Sequence, residues 1–162
     1  MVIAGTDIFA DRSPRGNTRY RPIPIVGEVT LLARTALLFV VLLVLHALDH
    51  GLRQDASVPS PLAVVGLSGT VVAAGVLVLA LRRHPLAPPA AVFVGLGTAL
   101  GFALAHLIPH WSGAFSQFYG DLDVDAVSWL SVGVTMAVAL ALGLRGLREL
   151  QRGRPTPAAA RG

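Results

Sequence analysis

The sequence predicts an all-α polytopic membrane protein, an antiparallel bundle of four transmembrane helices with both termini in the cytoplasm. Three observations carry this. Of 162 residues, 54% are hydrophobic and only 14% charged, against about a quarter charged in soluble domains. Four apolar stretches each approach the roughly 20 residues needed to cross a hydrocarbon core about 30 Å thick. The basic residues, all 13 of them Arg and none Lys, sit almost entirely on one side of those stretches. A mean hydropathy of +0.67 agrees. None of the stretches alternates as a membrane β-strand does, and each is too long for one, which leaves helices as the spanning structure.

Taken in order, residues 1–27 are rich in Pro, Gly and Arg, lack the apolar core and small-residue cleavage site of a signal peptide, and are expected to form a disordered cytoplasmic tail. The first span is expected over about 28–50, with Arg34 near enough to its start to extend its guanidinium to the interface. The second covers about 61–81 and stops at Arg82, Arg83, His84 and Pro85. Pro88 and Pro89 suit the first turn of a third span over about 89–110. Asp125 is placed to cap a fourth span over about 126–145, within a transmembrane domain of 28–150. The remainder, 151–162, ends PTPAAARG and reads as a second disordered cytoplasmic tail.

Orientation comes from the arginines. Arg12, Arg15, Arg19 and Arg21 precede the first span, Arg82 and Arg83 come after the second, and Arg145, Arg148, Arg152, Arg154 and Arg161 flank or trail the fourth. The opposite side carries only Arg53. The positive-inside rule therefore places both termini inside and the first and third loops outside. The net charge of +4 and the pI near 11.0 thus express membrane orientation, and nucleic acid is not an expected partner. The all-Arg basic set, with abundant Ala, Gly, Val and Leu, suits a GC-rich bacterial genome and a multi-pass protein of the bacterial inner membrane. The bilayer is the first expected partner, with a homo-oligomer or a larger membrane complex as the next.

Small residues recur at four-residue spacing: Gly97, Gly101 and Ala105 in the third span, Gly133, Ala137 and Ala141 in the fourth. Lipid offers no hydrophobic drive for helix association, so close backbone contact at such residues must supply it. Packing within one bundle is expected to use them, with a homo-oligomer face of Gly-x-x-x-Gly type as the alternative.

Four of the five histidines form two pairs, His46 with His50 and His106 with His110, each at the exit of a span that runs outward. The i, i+4 spacing stacks two imidazoles on one helix face, so all four rings are expected at the outer level. Asp49 lies within the first pair and Arg53 four residues beyond it. Neutral imidazole is a common metal ligand, and a carboxylate joins it or orients a ring nitrogen. The candidate metal site is accordingly His46, Asp49, His50, His106 and His110. With no cysteine and only Met1 and Met136 as thioethers, Zn²⁺, Fe²⁺ or Cu²⁺ suits the ligand set. A haem b held by His46 and His106 is the cofactor alternative. The competing functional readings are a non-catalytic accessory subunit of a larger complex, with histidines serving packing, and a pH sensor, because imidazole changes charge between about pH 5 and 8.

Pro109 cannot donate to the carbonyl of Ala105, so the third helix is expected to kink or stop there and to present that carbonyl and the rings to a cavity. The third loop, WSGAFSQFYGDLDVD, holds Trp111, Phe115, Phe118 and Tyr119, which an aromatic belt at the headgroup level explains, with a lid over the histidine site as the alternative reading. Asp121, Asp123 and Asp125 lack the Gly and the final acid of an EF-hand. No Ser-His-Asp order, phosphate loop or nucleotide motif is present, so the sequence assigns no enzyme activity.

The chain resembles a family of small bacterial four-span membrane proteins with H-x-x-D-H near the end of the first helix and H-L-x-P-H-W-S near the end of the third. Here those are His46 to His50 and His106 to Ser112. The resemblance covers the spans, roughly 28–150, and implies their number and no activity.

Overall fold

The structure is a computed structural model and describes residues 30–54 and 58–152. The expected N-terminal tail, most of the expected C-terminal tail and Arg12, Arg15, Arg19, Arg21, Arg154 and Arg161 lie outside the described residues. Among those described, all regular structure is helical: α1 Leu31–Leu52, α2 Ser60–Leu81, α3 Ala87–Phe102 continued by a π-turn Ala103–Leu107, a 3-10 turn Tyr119–Asp121, and α4 Ala126–Arg152. All four long helices are long and apolar enough to cross a membrane, counting α3 with its π-turn.

Local chemistry sets each boundary. Thr30 opens α1, its hydroxyl accepting from the Ala33 amide at 3.2 Å and so satisfying one of the donors a helix start leaves unpaired. Pro61 in the first turn of α2 removes another such donor at no cost. At the end of α2, Arg83 turns into the left-handed region with φ 52°. The Arg83 amide then reaches Ala80 O at 3.1 Å and the His84 amide reaches Leu79 O at 2.9 Å, the paired closure of a Schellman motif. Asp125 caps α4, one carboxylate oxygen accepting from the Val127 and Ser128 amides at 3.0 Å each. Its carboxyl is held below the ordinary range by those backbone hydrogen bonds and by the Arg53 guanidinium.

α1 runs over Leu31–Leu52 against an expected 28–50, and α3 begins at Ala87 against 89; two further boundaries differ for a visible reason. α4 continues to Arg152, past the expected end of the span at 145 and two residues into the expected tail. Arg145, Arg148 and Glu149 end an apolar span, but all are good helix formers, so the backbone has no reason to stop with the hydrocarbon. The third helix, conversely, stops at Leu107 and not at 110. Ile108 precedes Pro109 and is extended at φ −99°, ψ 117°, because the proline ring disfavours the helical region for its neighbour.

α3 packs chiefly on α4, α1 on both α4 and α2, and α2 on α3. The core is small-residue rich: Ala33, Ala36 and Phe39 of α1, Ala73 and Ala80 of α2, Ala91 and Ala99 of α3, Ala139 and Leu142 of α4. The closest approach, between α3 and α4, is made by Gly95, Gly143 and Gly146. A methyl added at Gly97, Gly101 or Gly133 would meet nothing within 4 Å, so the spaced stripes do not carry the packing within the chain. Large apolar side chains such as Leu38, Val41 and Leu45 of α1 and Val64, Leu67 and Val71 of α2 point outward, as a lipid-facing surface requires.

Candidate metal centre

α1 delivers His46 and His50 to the same face one turn apart, and Asp49 to the neighbouring register, all near its C-terminal end. α3 reaches the same level through its π-turn. The Ile108 amide bonds Ala103 O at 3.2 Å, five residues back. A turn closed by one extra residue rotates the chain beyond it by about 100° relative to an unbroken α-helix. His106 lies within that turn and faces α1. The Ala105 carbonyl, which Pro109 cannot serve, accepts from the Gln117 amide at 2.8 Å. It is therefore closed by the third loop and does not face a cavity.

The result is a cluster of three imidazoles. Ring centroids are 4.6 Å apart for His46–His50, 5.3 Å for His46–His106 and 5.5 Å for His50–His106. One ligand nitrogen from each lies within 4.8 Å of the others. His46 and His106 are buried and His50 half-buried. Nε2 of His50 is 3.1 Å from Nε2 of His46. With metal–nitrogen bonds of about 2.0–2.1 Å, the edge of a tetrahedron is about 3.3 Å, so this pair already stands near the spacing of two ligands on one ion. Nδ1 of His46 lies 3.2 Å from Ser131 Oγ on α4. Donation of Nδ1–H to that hydroxyl leaves the Nε2 lone pair directed at the cluster. Nδ1 of His50 and Nδ1 of His106 are buried without a hydrogen-bond partner, which is costly in a protein interior.

The other expected ligands are placed differently. His110 is not stacked on His106: the π-turn and the helix stop before Pro109 break the i, i+4 register. His110 adopts φ 48° in the loop, is 79% exposed, and pairs with Asp121 at 3.0 Å. Asp49 is buried beside the cluster but faces away from the three nitrogens. Its Oδ2 accepts from Gln54 Nε2 at 2.9 Å, and Oδ1 lies 3.5 Å from Arg53 Nε. Arg53 also bridges to Asp125, tying the end of α1 to the start of α4. Asp49 thus holds the surrounding hydrogen bonds and supplies negative charge close to the imidazoles.

Tyr119 completes the site, which the sequence signals only as one aromatic of a loop readable as a lid over the histidines. The 3-10 turn seats it almost fully buried, 1% exposed, with its ring 4.6 Å from His106 and 5.5 Å from Trp129. Its hydroxyl is 3.3 Å from His50 Nε2 and accepts from Gln54 Nε2 at 3.0 Å. Burial, opposed by the Gln54 hydrogen bond and reinforced by the Asp49 carboxylate, pushes the phenol up to about 12. The folded state therefore holds this proton more tightly than the unfolded chain. The stability it confers is complete below about pH 10, the ordinary phenol value, and is lost as pH rises through about 12. Unfolding of the metal-free wild type monitored across that window is expected to show this alkaline loss, and Tyr119→Phe to show less of it; identical alkaline profiles would refute the assignment.

The cluster does not offer the flat slot that a bis-histidine haem needs between its axial rings. The ring centroids of His46 and His106 are only 5.3 Å apart. The volume beside them is filled by His50 and by Phe102, whose ring is 4.8 Å from His46 and 5.5 Å from His106. A single ion fits the three nitrogens; a macrocycle does not. No protein-family model, curated protein or solved structure matches the chain. Fold and site together define a membrane-type helical protein with a tri-histidine cluster capable of holding a metal.

Proposed function

We propose that the protein is a small bacterial inner-membrane metalloprotein, with both termini cytoplasmic, its four helices antiparallel and one divalent transition metal held by His46, His50 and His106 at the outer level. The observation that carries this is the convergence of three imidazoles, two buried and one half-buried, with ligand nitrogens within 4.8 Å of one another at the end of two apolar helices. Ionisable groups at membrane depth are expensive, and those that persist mark function. The arginine distribution supports the orientation. The imidazole set suits Zn²⁺, Fe²⁺ or Cu²⁺, and the crowding of the rings favours such an ion over haem b.

The Asp49 carboxylate, buried beside the imidazoles, offsets part of the added positive charge, while the Arg53 guanidinium joins α1 to Asp125 of α4. Purification in mild detergent from metal-replete cells, with metal analysis and a visible spectrum of the product, tests the proposal. One equivalent of transition metal per chain and no Soret band is the expected result. Repeated preparations without stoichiometric metal would overturn it, and a Soret band would restore haem.

A further inference from the structure

Resting on that reading, we infer that the phenolic oxygen of Tyr119 is the fourth ligand of the metal, so that the site is three imidazoles and one tyrosine oxygen. The ground for this is position. The hydroxyl lies 3.3 Å from His50 Nε2, and His50 Nε2 lies 3.1 Å from His46 Nε2. Both separations match the edge of about 3.3 Å that a four-coordinate ion with bonds near 2.0–2.1 Å imposes on its ligands. Tyr119 therefore stands in the same relation to His50 as His46 does.

The neighbouring oxygens are directed elsewhere. Asp49 Oδ2 accepts from Gln54, Asp49 Oδ1 makes no hydrogen bond but lies on the Arg53 side at 3.5 Å from Nε, and Ser131 Oγ serves the far nitrogen of His46. The tyrosine ring is held against His106 and Trp129, so its oxygen is delivered by packing and not by a mobile side chain. Gln54 Nε2 donates to that oxygen at 3.0 Å. The donor is suited to an anionic oxygen, and it is itself anchored to Asp49 at 2.9 Å. Asp49 and Gln54 thereby become positioning residues for the tyrosine, which accounts for an aspartate buried near the imidazoles without touching them.

On binding, the phenol O–H bond breaks heterolytically and an oxygen–metal bond forms. The proton leaves to bulk solvent, and the ion keeps its oxidation state. A hydroxyl carried on a loop thereby joins ligands carried on α1 and α3, and metal occupancy fastens the loop between α3 and α4 to the helix ends.

The experiment loads purified wild type and Tyr119→Phe with Cu²⁺ as the probe and records stoichiometry, visible absorption and resonance Raman spectra. Wild type is expected to bind one equivalent and to show a phenolate-to-copper charge-transfer band whose excitation enhances tyrosine ring modes. Tyr119→Phe is expected to keep one equivalent, lose the band and weaken binding at least about tenfold, the lower end of what even an outlying partner of a ligand contributes. The wild-type Raman spectrum decides the matter should Tyr119→Phe not fold. Copper bound with no tyrosine modes, or a band unchanged in Tyr119→Phe, overturns this inference and leaves the three-histidine site standing. Failure of wild type to bind any copper, with Zn²⁺ and Fe²⁺ also refused, overturns the metal reading itself.

Discussion

His106→Ala is expected to abolish stoichiometric metal binding, with His46→Ala and His50→Ala close behind. Each removes one of three nitrogens that lie within 4.8 Å of one another. Replacing even an outlying partner of a metal ligand costs 10–100-fold in affinity; removal of a ligand from so small a set should cost on the order of 100-fold or more. His106 is expected to be the most sensitive because it is the sole imidazole that α3 contributes, and without it the remaining pair lies on one turn of α1. His110→Ala is the informative contrast. His110 is exposed and paired with Asp121, so its loss should leave binding within about twofold of wild type, a surface change of the kind that usually stays within ±0.5 kcal/mol. Metal titration of the four variants, each checked for metal-free unfolding temperature, reads this directly. Equal losses from His106→Ala and His110→Ala would contradict the geometry.

Gly95→Ala is expected to be the most damaging added methyl among the described glycines. Its added carbon would lie 2.5 Å from Gly143 N and 2.6 Å from Ala139 O, both backbone atoms. No flexible side chain stands there to yield, so α3 and α4 must separate along their whole contact. Overpacking of a tight core costs about 1–3 kcal/mol, and this site belongs at or above the upper end. Gly97→Ala, on the same helix with open space around it, should be neutral or slightly stabilising, since Ala is the better helix former by about 1 kcal/mol. Unfolding in detergent, monitored for both variants, should separate them by several degrees. A Gly95→Ala protein as stable as wild type would mean that α3 and α4 do not meet at this point.

The contrast between these glycines shows what a sequence carries and what it leaves to packing. Apolar length fixes where helices form, because a run of about 20 such residues has few other fates. Small residues at four-residue spacing, by contrast, occur on several faces at once. Only the helix–helix contact selects Gly95, Gly143 and Gly146, none of which stood in the stripes on α3 and α4 that spacing brings out. The histidines divide in the same way. His46 and His50 sit in an uninterrupted helix, and their spacing places them on one face as expected. His106 and His110 have the same spacing, but Pro109 denies the backbone its donor and the π-turn changes the rotation, so one ring enters the cluster and the other leaves for the surface. Tyr119 was legible only as one aromatic among several in its loop, and Gln54 was silent in the sequence. One lies in a loop whose aromatic content an interfacial belt explains, and the other is a lone polar residue past a helix end.

Asp49 was legible as a member of the site but not in its role. Four residues before Arg53, it reads equally as an ion-pair partner or a ligand. The structure directs it to Gln54 and Arg53, and through Gln54 to the tyrosine oxygen. The charge it adds remains within reach of the imidazoles, where a bound cation lowers the cost of keeping it buried.

X-ray absorption at the zinc edge of the Zn²⁺-loaded, detergent-purified protein tests the central claim most directly, since it counts imidazoles around the ion. The geometry predicts one zinc per chain with three imidazole nitrogens at about 2.0–2.1 Å. A shell with fewer than three imidazoles, or zinc that washes off on desalting, would contradict it.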